Sequence, residues 1–350
     1  MKKFVCLICS IILAFSSLYL FGCGNGAKCT HVPTEEITYE LDGDYAVISY
    51  KCSLCGKGSD SVIEKVKVDA VIDGDNNAVA KAQNTLKGDI VIFLKAGLYE
   101  KIYFVTRMGA TRLLCEDGVQ IQNAQFSGGI DTATLENAFL KSEPWENASI
   151  IKFEEAAGER TWLNVTIKNC RFEGNAFIDS AWKDGIAENL TVENCKFKNT
   201  TDNYDGELKG SARSAIFIDE VWGKTHIKDC VFDGFEWSAI RFGRVSVEGE
   251  TIIENCYFAG RTRGDEGYSI YIQIQNSKLP NPEYSLTIRN CIFDDVRPLG
   301  LSRSITMPYP NIIIGPNTWR VFPHENEKIY WWQTDNPNTV YNPSEQTLLG

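Results

Sequence analysis

The sequence predicts an all-β chain: a right-handed parallel β-helix solenoid, preceded by an N-terminal capping helix and a small N-terminal Cys/His ribbon-like module. Three observations carry that prediction. First, one nine-residue phrase recurs five times, as "NVTIKNCRF", "NLTVENCKF", "KTHIKDCVF", "ETIIENCYF" and "SLTIRNCIF". Its cysteines, Cys170, Cys195, Cys230, Cys256 and Cys291, are spaced by 25, 35, 26 and 35 residues. A period of roughly 20–50 residues marks one supersecondary unit per repeat, stacked on its neighbours. Second, each phrase has a phase shift. Val165 and Ile167 alternate as one strand, and Cys170 and Phe172 alternate again one residue out of step. Asn169, Asn194, Asp229, Asn255 and Asn290 occupy the extra position. Asn and Asp are the non-glycine residues that best tolerate left-handed backbone, so a bend is expected there. Third, a further short apolar strand follows each phenylalanine: "AFID", "AIFID", "AIRFG" and "SIYIQ".

In chain order, "MKKF" and the apolar run Val5–Leu20 read as a targeting segment, to be kept out of the fold. Residues 23–62 form the Cys/His module, with Gly56–Ser61 as its linker. "DGDNNAVAKAQNTLKG", Asp73–Gly88, reads as a helix with Asp and Asn at its start and Gly88 at its end. "DIVIFL" follows as a buried strand. Strands and turns then run to Pro316, and residues 317–350 read as a Trp-rich cap that breaks the repeat.

The repeat cysteines would stack at about 4.8 Å inside the solenoid. Parallel in-register side chains point the same way, which disfavours disulfides, so they read as small buried hydrophobes. The Asn-x-Ser/Thr matches at Asn147, Asn164, Asn189 and Asn199 read as strand and turn residues. The formal net charge of −11 excludes nucleic acid as a natural partner.

Two groups of residues are candidates for chemistry. "CTH" (Cys29, His31) and "CSLC" (Cys52, Cys55) have the ligand types of a structural tetrahedral Zn²⁺ site. A disulfide, Cys52–Cys55 or Cys29 with either one, is the competing reading. The second group comes from aligning the third strands with Phe153, Ile178, Ile218, Phe242, Ile272 and Leu301 inward. Glu154, Asp179 and Asp219 then share one outward column. Three neighbouring carboxylates suit Ca²⁺. The outward column two residues earlier reads Lys152, Phe177, Phe217, Arg241, Tyr271 and Gly300. Phe177, Phe217 and Tyr271, together with Trp182 and Trp222, would offer flat platforms to sugar rings. Lys198–Arg213 and Gly260–Gly267 are insertions on the same face, and Asp202, Asp205 and Glu207 in the first are further oxygen donors.

Two resemblances sharpen these expectations. "LFGC", Leu20–Cys23, resembles a bacterial lipobox, which implies cleavage after residue 22, a lipid on Cys23 and an extracytoplasmic, membrane-anchored protein. Residues 66–315, with the Asn bend and three strands per coil, resemble the pectate-lyase-like superfamily. That resemblance implies a polysaccharide cleft on the third-strand face, with Ca²⁺ held by acidic ligands against a uronate carboxylate. Arg241 would act as base or carboxylate clamp, with Lys152 in reserve. "AGLYEKIYF", Ala96–Phe104, also resembles the first motif of pectin methylesterases, but neither that family's later motifs nor those of polygalacturonases are present. The expectation is therefore a surface lipoprotein that binds polysaccharide, with cleavage left open: Ca²⁺-assisted elimination is the leading form if it is an enzyme, and hydrolysis the lesser one. The rival is a non-catalytic adhesin or spacer.

Overall fold

The computed structural model describes residues 33–105, 107–127, 130–142, 149–154, 162–174, 176–180, 188–198, 214–218, 223–235, 238–242, 249–261, 268–274, 284–303, 311–323 and 337–350. The chain divides into two units, residues 1–68 and 69–350. In the first, strands Pro33–Asp42, Tyr45–Cys52 and Gly58–Lys67 form an antiparallel three-stranded sheet. The expected linker at Gly56–Ser61 is therefore largely strand. Its backbone joins the sheet at Gly58, which pairs with Lys51 of the second strand.

Among its described residues the second unit is all-β apart from one α-helix and a short 3₁₀ turn at Pro343–Glu345, and its strand pairing is parallel throughout, as in a β-helix-like solenoid. A back sheet of eleven described strands runs from Ala70–Ile72 to Thr339–Tyr341. A side row runs from Phe139–Ser142 to Thr347–Leu348, and a front row from Gly97–Phe104 to Leu299–Arg303. The side and front rows join through the long strand Val119–Ser127, which pairs with Phe139 through Gln120 and with Ile150–Glu154 through Asn123–Ser127.

The bend between back and side strands lies where the sequence places it. Asn169, Asn194, Asp229, Asn255 and Asn290 have φ between 49° and 55°. Their side chains also bond from coil to coil: Asn194 Nδ2 donates to Asn169 Oδ1 at 2.8 Å, and Asn255 Nδ2 to Asp229 Oδ1 at 3.1 Å. Left-handed backbone costs an L-residue about 1–2 kcal/mol, and the short polar side chain offsets part of that with these bonds.

The bend turns each Cys–x–Phe inward. All five cysteines are buried free thiols, each donating to the backbone carbonyl two residues earlier at 3.2–3.3 Å. Burial comes first among the causes that push the Cys195 and Cys256 thiols well above their ordinary pKa, so both are inert. Phe172, Phe197, Phe232, Phe258 and Phe293 stack with centroids 4.4–4.9 Å apart, and Trp319 extends the stack at 4.5 Å. Each such pair adds about 0.5–1.5 kcal/mol beyond its burial.

Trp319 thus corrects the expected break at Pro316. Thr318–Trp319 pairs with Ile292–Phe293, and Thr339–Tyr341 pairs with Ile312–Ile314, because tryptophan fills the phenylalanine position of the coil. The helix spans Asn76–Thr85, with Asp75 accepting from the Asn77 N–H. It ends at a Leu86 cap, so Gly88 (φ +67°) belongs to the following turn. Gln83 docks it on the front row, donating to Tyr103 O at 2.7 Å and accepting from the Val105 N–H.

Candidate functional site

The front row carries one outward ladder whose members are set by strand register. Tyr103 pairs with Gln125, Gln125 with Lys152, and Lys152 with Asp179. The ladder then runs through Phe217, Arg241, Tyr271 and Gly300. Inward neighbours Ile151, Ile178, Ile216, Ile240 and Ile270 are fully buried, so the ladder lies on the opposite, outer face.

This register moves Asp179. The sequence alignment sets it beside Glu154 and Asp219, whereas the strands set it between Lys152 and Phe217. Glu154 pairs with Ser127 instead. The error is a slip of two residues. Alternation cannot detect it, because a two-residue shift keeps every inward residue inward. The same register lines up the small buried residues Ala176, Ser214 and Ser238, and that small-residue column is the sequence signal that locates the strand. Among the described residues no three His, Cys, Asp or Glu side chains come together as a metal-holding group.

Phe177 is also corrected. It pairs with Ile150, outside the ladder, and its ring is only 3% exposed, so it offers no platform. Phe217, Arg241 and Tyr271 do share the ladder and are half-buried. The Arg241 guanidinium lies over the Phe217 ring at 5.3 Å. Tyr271 stacks on Tyr268 with centroids 5.5 Å apart. Gly300 completes the surface: a Cβ there would meet the Tyr268 ring at 2.4 Å, so only glycine lets that ring lie against the strand. Tyr268 is a site residue the sequence reading missed; its proximity to Gly300 arises only from register.

Two polar groups are held deep at the other end. Asp179 is 8% exposed and Gln125 is 7% exposed. Gln125 Oε1 has no hydrogen-bond partner among the described residues. A buried acceptor of this kind costs about 1–3 kcal/mol if left unmatched, and a ligand hydroxyl or amide would relieve it.

Cys52 ends the second strand of the first unit, and Cys55 lies on the turn that follows. Cys23, Cys29, His31, Trp182, Trp222, Asp219, Asp202, Asp205 and Glu207 fall outside the described residues, as does the Glu154 side chain. Comparison with known protein families, with curated proteins and with solved structures found no match.

Proposed function

We propose that the second unit is a right-handed parallel β-helix of the pectate-lyase-like kind, and that it binds an extended polysaccharide along the front ladder. A lipid on Cys23 would hold it outside the cytoplasm. One observation carries the reading: Lys152, Asp179, Phe217, Arg241 and Tyr271 follow one another in register, with Tyr268 flanking them. Successive members stand about 4.8 Å apart, so the five span about 19 Å. That suits a short run of sugar rings. Aromatic faces receive the apolar C–H faces of the rings, and polar groups between them fix orientation.

Lys152 and Arg241 favour a carboxylated sugar in spite of the acidic chain, since a guanidinium matches a carboxylate with two parallel hydrogen bonds. Cleavage by elimination is the stronger form of this reading. Arg241 would clamp the uronate carboxylate or take the proton. Because arginine is ordinarily protonated, the base role needs strong local help. The register gives the three-acid Ca²⁺ column no support, so binding leads and cleavage follows from it.

The test is affinity electrophoresis of the purified protein against neutral and uronate-containing polysaccharides, with product analysis with and without Ca²⁺. Retardation by a uronate polymer, reversed by Arg241→Ala, supports the reading. Unsaturated products that require Ca²⁺ would extend it to a lyase. An affinity that Phe217→Ala and Arg241→Ala both leave unchanged would exclude this ladder and favour the adhesin or spacer.

A further inference from the structure

The far end of the front ladder meets a cation that the ladder itself does not contain. Arg297 lies three residues before Gly300, in the segment that enters the strand Leu299–Arg303. Backbone bonds fix its place. The Ser269 N–H donates to Arg297 O at 3.0 Å, and the Ile270 N–H donates to Pro298 O at 2.9 Å. Arg297 therefore sits one strand beyond Tyr268. It is half-buried, and its guanidinium lies over the Tyr268 ring, 6.0 Å from the centroid.

A buried acid fixes the turn that carries it. Asp295 is 6% exposed. One of its oxygens accepts the Arg297 N–H at 3.2 Å, and the other accepts the Ser269 hydroxyl at 2.9 Å. A carboxylate this deep needs donors, so these bonds tie the turn to the preceding strand. The tie uses the backbone N–H of Arg297. The side chain is thus carried on a fixed backbone, which lowers the ordering cost of binding.

Strand order sets two cations on either side of one aromatic pair. Arg241 pairs with Tyr271 on the next strand, and Tyr271 with Gly300 on the one after. Tyr271 and Tyr268 belong to the middle strand, and their rings stack 5.5 Å apart. Arg241 stands one strand before that pair, and Arg297 at the strand after it. Two strand steps are about 9.6 Å. A guanidinium holds a carboxylate by two parallel hydrogen bonds in the plane of its fork. Here the two forks lie over different rings, Phe217 and Tyr268, so they address different places on a bound chain.

From the fixed turn, the ring beneath each guanidinium and the strand order, we infer that Arg297 is a second anion-binding residue of the front face. The polysaccharide bound there carries acidic groups on at least two of its rings. Arg241 holds one, Arg297 holds another, and the Tyr271–Tyr268 pair lies under the sugar between them. This inference deepens the polysaccharide reading and rests on it. It narrows the ligand to a regularly acidic polymer rather than a neutral chain with one terminal acid.

The experiment uses the purified full chain in detergent and calorimetry at low and moderate salt. Tetrasaccharides of polygalacturonate, alginate and hyaluronate are the probes with repeated acids. A neutral tetrasaccharide ending in one glucuronate is the single-acid probe. With the repeated-acid probe that binds best, Arg297→Ala should weaken binding about tenfold and flatten its salt dependence, since one screened charge pair is lost. Arg297→Lys should keep the salt dependence but lose part of the affinity, because the charge stays and the fork goes. The single-acid probe should bind the wild type at least about tenfold more weakly, and Arg297→Ala should not weaken it further. Thermal midpoints of both variants should match the wild type, because Asp295 holds backbone rather than guanidinium. Unchanged affinity and salt dependence in Arg297→Ala, alongside a loss in Arg241→Ala, would overturn this inference alone. So would a single-acid probe that binds as tightly as the repeated-acid one. If no probe binds the wild type, the polysaccharide reading itself falls, and this inference with it.

Discussion

On the back sheet, one outward position reads Glu136, Lys168, Glu193, Lys228, Glu254 and Arg289 from coil to coil. On the front, the ladder reads Lys152, Asp179, Phe217, Arg241, Tyr271 and Gly300. Both are ladders of parallel strands in the second unit. The back ladder alternates in sign and satisfies itself: Lys228 reaches Glu193 at 3.2 Å, and Glu254 meets Arg289 at 2.6 Å and His226 at 2.8 Å. The front ladder sets Lys152 beside Asp179, places Arg241 between Phe217 and Tyr271, and seats a buried acceptor, Gln125, beside Lys152. A surface whose charges are paired by its own neighbours has little left to offer a ligand. The front instead sets Arg241 between two aromatic residues and holds a buried acceptor, Gln125 Oε1, that has no partner among the described residues, which is the physical reason for assigning function to the front.

The largest expected effect removes what the two faces share. Phe232→Ala empties the middle of the phenylalanine stack and should cost about 3–5 kcal/mol, read as a lowered urea midpoint, with both faces affected together. If stability barely moved, the stack would not be the common support of the two ladders.

Next comes the functional contrast. Phe217→Ala with Arg241→Ala should weaken polysaccharide binding by at least about thirtyfold, as expected for a central aromatic–arginine hot spot. Glu254→Gln on the back should leave that affinity unchanged, measured in the same titration. Equal losses from the two faces would erase the distinction.

A smaller effect concerns the bend that separates the faces. Asn194→Ala should cost about 1–2 kcal/mol by placing an ordinary residue at positive φ, while Asn194→Gly should cost less. Thermal midpoints of the two variants check the order.

Charge reversal on the back should be smaller again. Glu193→Lys sets three like charges in a row with Lys168 and Lys228 and should cost up to about 1 kcal/mol. Adding Lys228→Glu should recover part of it, read as the coupling in a double-mutant cycle.

The pH dependence sharpens the same point. Burial tends to raise the Glu254 pKa, but hydrogen bonding and charge from Arg289 and His226 outweigh it and hold the carboxyl below its ordinary range. Its folded value lies below its unfolded one, so its contribution is present above about pH 4.3 and fades as pH falls through the folded value. Between about pH 5 and about pH 3 the wild-type chain should therefore lose more stability than Glu254→Gln, by urea unfolding at each pH.

Much of the architecture is legible in single residues. The left-handed Asn169 series, the buried thiols and the inward phenylalanines all follow from a nine-residue phrase and its phase shift. Trp319 is harder to read, because nothing local says that an indole stands in for a phenyl ring until Phe293 lies beneath it. Gly56–Ser61 looks like a linker in sequence, since Gly, Ser and Asp break strands locally; from Gly58 on, pairing with Tyr45–Cys52 overrides that preference. Asp179 shows where sequence reading of the site ran out. "IDS" and "IDE" invite alignment by their shared dipeptide, and the strands pair two residues away from it.

By itself, then, the sequence determined which residues face inward, where the chain bends and how often the coil repeats. These are local properties of side-chain size, polarity and tolerance of positive φ. Only the tertiary structure decided which outward residues become neighbours of the Ala176–Ser180 strand. Alternation has a period of two, so it leaves any even shift between coils undetermined, and backbone pairing with packing of Ala176, Ser214 and Ser238 selects among them. Phe217, Arg241, Tyr271 and Gly300 were already aligned by sequence, whereas the placement of Asp179 beside Lys152 exists only at that level.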